Sequence, residues 1–318
     1  MKLTNKHNLP DTIVRAIQND DYSKGDAYLS VTQLINAPRI IQLRKKHWKD
    51  LEQDVSGQIW MLFGKAVHHI LEQGGSNKEI TEKRYHIEVL DWLISGQIDS
   101  YDLDGKILRD YKTCKAYALR PDPHIYKEEW EQQENIYAYM MEEVEGIEID
   151  RLEIVAFIRD WSAYQAERSN SYPQAECEVI PVPKWSKKKT KEFIEERVRV
   201  HQEAVADQLM GKELPLCTAK ERWQQDSRFA LKKEGSERAT KVFDSEAEAK
   251  ASLKEGYVIE ERKVRLLDAK GITVMWLSFV HNIRRNKMED FLYTLGAVAI
   301  FAIVAWAILF FDDDNAEM

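Results

Sequence analysis

The chain has 318 residues and a formal net charge of −8 at pH 7, with 46 lysine and arginine residues against 54 aspartate and glutamate residues. Hydrophobic residues form 44% and charged residues 31% of the sequence, which is typical of a globular protein with one sizeable core and a smaller module. The negative balance argues against a generally basic protein that coats nucleic acid, although it leaves room for local basic surfaces.

The N-terminal part divides into a polar segment and a helical region. Residues 1–27 are polar and are predicted to be partly mobile. Residues 28 to about 75 are predicted to be helical, with Ser30 as a candidate N-cap. Within this region, residues 60–72 have the apolar spacing of an amphipathic helix.

A strand-rich stretch follows from residue 80 to about residue 118. Residues 92–99 and 106–112 have the pattern of strands, and Asp104-Gly105 between them is a strong signal for a tight turn. The two strands are therefore predicted to pair as a hairpin, which would bring polar residues of both strands close together.

Two acids and a lysine on this hairpin form a candidate site. Side chains alternate across a strand, so Asp110 and Lys112 share one face, and the hairpin would bring Asp99 near them. Two carboxylates can hold Mg²⁺ or Mn²⁺ through hard oxygen ligands. The lysine can orient an attacking water and offset the charge of a phosphate. An Asp-x-Lys tripeptide is also common on exposed strands, so it does not establish a site by itself.

The rest of the central region alternates between predicted helices and strands. A helix over residues 126–144 carries Gln133 and Tyr137 one turn apart, and therefore on one face. Two further strands are predicted at 149–160 and 176–182, and a long amphipathic helix is predicted at 186–209.

Five short motifs follow one another along the chain. In order they are Gly64-x-x-x-His68, Glu82, Gly96-x-x-Asp99, Asp110-x-Lys112 and Gln133-x-x-x-Tyr137. Their order resembles the RecB-like branch of the PD-(D/E)XK nuclease superfamily, especially exonuclease-like proteins of phages and prophages. The resemblance runs from about Tyr28 to Arg262. It implies an α/β fold with a restriction-endonuclease-like mixed central sheet that is flanked by helices.

The resemblance also implies a metal site. Asp99 and Asp110 correspond to metal ligands, the carbonyl of Tyr111 to a third ligand, and His68 to the metal-associated histidine of the family. The implied cofactor is Mg²⁺ or Mn²⁺. No iron–sulfur cluster is expected, because the three cysteines are far apart and cannot supply a four-cysteine set. These cysteines, whose odd number also predicts a reducing compartment, are Cys114, Cys177 and Cys217.

Four residues receive further roles from the resemblance. Lys112 corresponds to the catalytic lysine, while Gln133 and Tyr137 would support the site or contact the DNA backbone. Glu82 corresponds to an additional catalytic acid, and its alternative is an exposed strand residue. For the pair at 133 and 137 the alternative is a solvated helix face with a buried aromatic ring.

Two basic runs are candidate paths for a DNA strand. Each contains a tryptophan, and basic residues beside an aromatic ring suit backbone contact combined with base stacking. The alternative is that each run is a solvated charged face. The residues concerned are Arg44 and Lys45 near Trp48, and Lys187, Lys188 and Lys189 near Trp185.

The C-terminal third is predicted to contain three parts. Residues 217–263 form a small α+β accessory module, in which Ser245 and Glu248 are spaced as a capping box and Gly256 would end the helix. Residues 264–287 form an irregular junction. Residues 291–311 lack charge and are long enough for a transmembrane helix with its basic flank on the cytoplasmic side. The alternative to a membrane span is a buried helix of a soluble protein. As a span, this apolar tail is either a native anchor or the product of a frameshift or fusion.

The sequence therefore predicts a Mg²⁺-dependent DNA nuclease, most consistent with an exonuclease used in phage recombination or repair. Its expected partners are DNA and a phage single-strand annealing or recombinase protein. Its expected location is the cytoplasm, with a tether to the inner face of the membrane through residues 291–311. Two alternatives stay open, which are a catalytically silent DNA-binding relative and a membrane-tethered interaction protein.

Overall fold

The computed structural model describes residues 1–19, 23–119, 127–219, 221–222 and 227–262. Contacts divide the chain into two units, and the boundary lies between Pro215 and Leu216. The described residues of each unit contain helices and a multi-stranded sheet, so the protein has a mixed α/β architecture.

Two segments that the sequence analysis singled out lie outside the described residues. They are the predicted junction at 264–287 and the apolar segment at 291–311. Among the helices that the structure does describe, none is long and apolar enough to cross a membrane.

The polar N-terminal segment contains regular structure that its composition did not predict. Strand β1 (Lys2–Thr4) pairs in parallel with β3 (Glu52–Asp54), and helix α1 (Asp11–Gln18) follows β1. The Asp54 carboxylate accepts a hydrogen bond of 2.7 Å from the backbone N–H of Lys6. Pairing with a distant strand therefore orders residues whose local sequence carries little signal.

Three helices form the predicted helical region. They are α2 (Val31–Leu34), α3 (Pro38–Lys46) and α4 (Ile59–Gly74). The Ser30 hydroxyl accepts a hydrogen bond from the N–H of Gln33, whose side chain accepts one from the N–H of Ser30. The predicted N-cap is therefore confirmed, and it takes the form of a complete capping box.

A small sheet contains the strand that leads to Asp99. Strand β2 (Leu29–Ser30) pairs in parallel with β6 (Trp92–Gln97), and β5 (Arg84–Val89) pairs antiparallel with β6. The predicted pairing of residues 92–99 with 106–112 is therefore wrong. The chain leaves this sheet after β6 and enters a second sheet at residue 100, so Asp99 lies at the crossing point.

The second sheet has five strands in the order β10-β9-β8-β7-β4. Strands β8 and β9 are parallel and their other neighbours are antiparallel, which makes this a mixed sheet. The five strands are β4 (Glu79–Thr81), β7 (Ser100–Asp102), β8 (Ile107–Cys114), β9 (Arg151–Ile158) and β10 (Cys177–Val182).

The hairpin around Asp104-Gly105 joins β7 to β8. The Asp102 carboxylate accepts hydrogen bonds of 3.0 Å from the N–H groups of Asp104 and Gly105, and Lys106 has a φ of 49°. The predicted turn is confirmed. Its first strand is only three residues long, because β6 belongs to the other sheet.

The described part of the first unit contains three more α-helices, namely α5 (Glu128–Glu145), α6 (Ala163–Arg168) and α7 (Lys187–Leu209). The Ser186 hydroxyl caps α7 by accepting a hydrogen bond from the N–H of Lys189. The main core includes residues of β5, β6, β8, β9, α2, α5 and α7, with further members from β2, β7, β10 and α3. Its fully buried members include Leu34, Ile94, Leu108, Ile136, Ile154 and Ile194.

The described residues of the second unit form a three-stranded antiparallel sheet in the order β12-β11-β13 and one helix, α8. Leu231, Phe243 and Ala249 form its buried cluster. Its elements are β11 (Arg228–Lys233), β12 (Ala239–Phe243), α8 (Glu246–Ala251) and β13 (Tyr257–Arg262).

Helix α8 begins as the sequence predicted but ends earlier. The Ser245 hydroxyl accepts a hydrogen bond from the N–H of Glu248, as an N-cap does. The helix ends at Ala251, so the prediction that Gly256 ends it is wrong. Gly256 instead has a φ of +77° and directly precedes β13, a conformation that favours glycine.

Gly96 is required by close packing between β6 and α5. A Cβ atom at this position would lie 2.8 Å from a ring carbon of Tyr137 and 2.9 Å from the sulfur of Met140. Both neighbours are buried, so we expect Gly96→Ala to lower the free energy of unfolding by about 1–3 kcal/mol. Denaturant unfolding measures this change. Gly74→Ala is the matched control because no atom lies within 4 Å of its new methyl group; equal effects of the two variants would contradict the packing argument.

Candidate metal and catalytic site

The candidate site lies along β8, beyond the point where β7 begins. Strand register pairs Ser100 with Arg109, so the next residues of β8 extend past the start of β7. The N–H of Tyr111 donates a hydrogen bond of 2.7 Å to Oδ2 of Asp99. The carbonyl of Tyr111 lies 3.0 Å from Nε2 of His68, which comes from α4. Backbone groups of one residue thus hold an acid and a histidine from two other elements.

Gly64 lies where α4 approaches β8, and the space there would also accept a methyl group. A Cβ atom built on Gly64 would be 3.5 Å from the hydroxyl of Thr113, which is ordinary contact distance. The helix therefore runs beside the strand with little between them, and His68, one turn further along, reaches the strand edge. The Gly-x-x-x-His spacing has a direct structural meaning in this position.

His68, Glu82 and Asp99 form a cluster of candidate metal ligands. One ligand atom from each residue lies within 4.8 Å of the others. Nδ1 of His68 is 3.4 Å from a carboxylate oxygen of Glu82 and 3.4 Å from Oδ1 of Asp99. The N–H of Glu82 bonds the carbonyl of Asp99 at 3.1 Å, with Glu82 in a left-handed conformation at φ 48°. The side chain of Gln97 donates to Glu82 at 2.7 Å.

The donor set suits a hard divalent cation. A carbonyl can only accept, so Nε2 of His68 carries the proton that faces Tyr111, and Nδ1 of the neutral ring is free to bind a metal. Glu82 and Asp99 add carboxylate oxygens, which Mg²⁺ and Mn²⁺ prefer. The Tyr111 carbonyl, which the resemblance assigned as a ligand, lies against His68 and orients its ring.

The charge around His68 is set by its two acidic neighbours. Burial favours the neutral ring and lowers its pKa, but hydrogen bonds and charges from Asp99 and Glu82 act in the opposite direction. The net effect raises the pKa of His68 to about 10. The imidazole is therefore protonated at neutral pH until a cation takes the place of the proton.

Asp110 and Lys112 form a second, buried group on β8. A carboxylate oxygen of Asp110 is 2.6 Å from Nζ of Lys112, and its other oxygen accepts a bond of 2.8 Å from the side-chain amide of Gln133. Nζ of Lys112 also lies 3.3 Å from the amide oxygen of Gln133. The side-chain amide nitrogen of Gln133, which bonds Asp110, is also 3.1 Å from the hydroxyl of Tyr137. The Gln-x-x-x-Tyr motif on α5 thus contacts the Asp-x-Lys motif directly.

The two charges of this group differ in exposure. The side chain of Asp110 is 2% exposed, while that of Lys112 is 23% exposed and can reach a bound molecule. Burial raises the pKa of Asp110. The charge of Lys112 acts to lower this pKa, and the charge of Asp99 acts to raise it further. Burial disfavours the charged form of Lys112, but Asp110 and Asp99 outweigh this and raise its pKa. Lys112 therefore carries a positive charge beside the acid–histidine cluster.

Glu134 is a buried acid that the sequence analysis missed. It follows Gln133 on α5 and is fully buried, and neither carboxylate oxygen has a hydrogen-bond partner among the described residues. Burial raises its pKa well above the usual range, and the charge of Asp110 adds to this while Lys112 opposes it. The available sequence signal was a glutamate directly beside the motif glutamine, and the structure shows that the helix is buried from Gln133 to Met141.

We expect Glu134→Met to stabilise the protein at pH 7 by about 1–3 kcal/mol, because it removes a buried carboxyl group without partners. The folded-state pKa is raised, so the wild type loses stability as pH rises above about 4.3, where the unfolded carboxyl ionises. The part of the gain that comes from ionisation should therefore disappear near pH 4 in denaturant unfolding, while the part that comes from the unpartnered polar group stays. Glu134→Gln is the control that removes ionisation but keeps polarity, and a less stable Glu134→Met at pH 7 would contradict the assignment.

The lysine run near Trp185 is largely paired with other side chains. Lys187 forms an ion pair with Glu143, and Lys188 lies 3.9 Å from Glu192. Nζ of Lys189 is 3.9 Å from the centre of the Trp185 ring. The run is therefore a mixed charged surface, in which local acids neutralise part of its positive charge.

The first basic run lies at the end of α3. The guanidinium carbon of Arg44 is 5.8 Å from the centre of the Trp48 ring, and Trp48 is 46% exposed. Burial lowers the pKa of Lys45. These residues keep the combination of charge and exposed aromatic surface that the sequence predicted, but their role stays a prediction.

Comparison with protein-family models finds no match, and comparison with curated proteins finds none either. Solved structures give partial likenesses. The protein SSO0001 is 16% identical over 67% of this chain and 88% of its own, with a TM-score of 0.40. A phage related exonuclease from Haemophilus somnus is 14% identical over 56% of this chain and 74% of its own, with a TM-score of 0.27. At these scores the likeness is only partial, and the functional argument rests on the site geometry.

Proposed function

We propose that this protein is a metal-dependent nuclease that hydrolyses phosphodiester bonds in DNA. One observation carries the proposal: β8 and its edge bring together a cluster of candidate metal ligands and a buried acid–lysine pair. Hydrolysis of a phosphodiester needs charge stabilisation at the phosphate and a positioned water, and these two groups are suited to those two tasks.

The cluster on α4 and at the strand crossing would hold the cation. His68, Glu82 and Asp99 are the residues we assign to it, and Asp99 is fixed by the backbone N–H of Tyr111. A divalent cation in such a site stabilises negative charge on the phosphate and lowers the pKa of the attacking water.

The acid–lysine pair would position the water and the phosphate. Lys112 is charged and partly exposed, so its ammonium group can donate to the water oxygen or to a non-bridging phosphate oxygen. Asp110 fixes the position of Lys112, and Gln133 fixes Asp110. Tyr137 supports Gln133 in turn. Each residue of the pair is thus held by a neighbour before substrate binds.

Finer features of the proposal rest on the order of the motifs. We extend it to exonucleolytic digestion, to Mg²⁺ or Mn²⁺ as the cofactor, and to a role in phage recombination beside a single-strand annealing or recombinase protein. The proposed place of action is the cytoplasm.

The test is a cleavage assay with the full chain. Linear DNA labelled at the 5′ or 3′ end is incubated with protein in Mg²⁺, Mn²⁺ or EDTA, alongside Asp110→Asn. Asp104→Asn is the matched control, because this acid lies in the adjacent turn, is exposed and pairs with Lys78. We expect cleavage that needs the metal, is lost in Asp110→Asn and is kept in Asp104→Asn. Folded wild-type protein that cleaves no DNA in either metal would refute the proposal.

A further inference from the structure

Helix α4 exposes several large apolar side chains. None of its sixteen residues is buried. Trp60 is 49% exposed, Phe63 57% and Ile70 65%. These positions are spaced three and seven residues apart, so they lie on one face of the helix. A contiguous exposed apolar face beside a polar site indicates a binding surface.

Two aromatic rings and a cation meet at the start of this face. The rings of Trp60 and Phe63 are 5.5 Å apart between centres, at an angle of 48°. The guanidinium carbon of Arg159 is 4.1 Å from the centre of the Trp60 ring. Among the described residues Arg159 forms no ion pair and its side chain is exposed, so its charge is available to a ligand.

The backbone connects these three residues to the proposed site. The N–H of Arg159 bonds the carbonyl of Cys114 at 3.0 Å, and Cys114 is the last residue of the strand that carries Asp110 and Lys112. Along α4, His68 follows Trp60 by eight residues, which is about 12 Å of helix. The aromatic face therefore begins within a few nucleotides' reach of both groups of the site.

We infer that Trp60, Phe63 and Arg159 form a stacking platform for unpaired bases of the DNA strand whose phosphate enters the site. The inference deepens the proposed function and rests on it. An aromatic ring stacks on a base only where the face of that base is open, which is the case in single strands and frayed ends. Arg159 lies over one face of the Trp60 ring, so its charge complements the phosphates that flank a base stacked on the ring surface that stays exposed. This combination suits a single strand better than the uncharged surface of a partner helix.

The platform assigns the substrate class as single-stranded DNA or an unpaired end. Stacking depends little on which base is present, so the platform holds a strand without reading its sequence. The rigid connection through α4 and β8 would set the distance between the stacked base and the cleaved bond.

The test measures binding separately from cleavage. Fluorescence anisotropy of a labelled dT oligonucleotide and of a blunt hairpin duplex is recorded in EDTA with the full chain. We expect Trp60→Ala to weaken oligonucleotide binding about tenfold, with Trp60→Phe close to wild type. Arg159→Gln should lower the slope of log Kd against log salt by about 1. Ile70→Ala is the control, since it removes apolar surface from the same helix face without removing a ring.

The outcomes separate this inference from the proposed function. Loss of binding in Trp60→Ala supports the platform even if no cleavage is found. Cleavage that is intact while Trp60→Ala and Phe63→Ala keep wild-type affinity would overturn the platform and leave the nuclease standing. Equal weakening of duplex and single-strand binding, or an altered sedimentation coefficient in Trp60→Ala and Ile70→Ala alike, would also overturn it, the latter by showing a contact between copies of the chain.

Discussion

Replacing Lys112 by methionine is expected to slow DNA cleavage by about 10²- to 10³-fold, because a preorganised positive charge is removed from the reacting phosphate. The ammonium group lies 2.6 Å from Asp110 and is the more exposed member of that pair. Single-turnover cleavage at saturating Mg²⁺ measures the change without interference from product release. Lys187→Met is the matched control, since this lysine is paired with Glu143 at the surface.

The same substitution tests the buried pair through stability. Lys112→Met leaves Asp110 buried without its partner, and we expect a loss of about 3–5 kcal/mol in the free energy of unfolding. Adding Asp110→Asn should recover much of that loss, because the uncompensated charge is then gone. Cleavage should not recover in the double variant. A variant that regained stability and activity together would show that Lys112 acts only as a structural partner of Asp110.

The sequence predicted that Asp110 and Lys112 share one strand face and that Gln133 and Tyr137 share one helix face. Alternation along a strand and one-turn spacing along a helix are local rules, so they hold whatever the rest of the fold does. The contacts of Gln133 with Asp110 and Lys112 could not be read from those rules, but the order of the motifs pointed to them. Their catalytic roles stay predictions.

The pairing of strands was beyond the sequence pattern. Apolar alternation indicates that residues 92–97 form a strand, but it does not predict which strand pairs with them. The structure pairs β6 with β5 and β2, and carries Asp99 to β8 through the crossing between sheets. The conclusion that Asp99 lies near β8 is therefore met by the structure, while the hairpin from which it was argued is wrong.

The positions of Glu82 and Glu134 could not be predicted from the sequence, for different reasons. Glu82 joins the cluster of candidate metal ligands through a backbone at φ 48° and an N–H that bonds the carbonyl of Asp99, and neither feature has a local sequence signature. Glu134 is buried by the packing of α5 on the core, although its charge suggests a surface position. The pairing of the lysine run near Trp185 could not be predicted either. The acids that pair with these lysines come partly from α5, more than forty residues away in the chain.

The structure also predicts which acids matter for metal affinity. Glu82→Gln should weaken Mn²⁺ binding by on the order of 100-fold, because it removes a ligand of the cluster. Asp110→Asn should weaken it less than about tenfold, because Lys112 and Gln133 already bind its oxygens. Isothermal titration calorimetry compares the two variants. The opposite order of effects would favour the ligand pair Asp99 and Asp110 that the motif resemblance implies.

The pH dependence of that binding gives an independent check. His68 has its pKa raised to about 10, and a metal binds only the neutral ring, so each bound ion should release about one proton at pH 7. Affinity should therefore rise by about tenfold per pH unit between pH 6 and pH 9. Titrations in two buffers of different ionisation enthalpy count the released protons. In His68→Asn this release should disappear and the pH dependence should flatten; an unchanged slope would place the cation away from Nδ1 of His68.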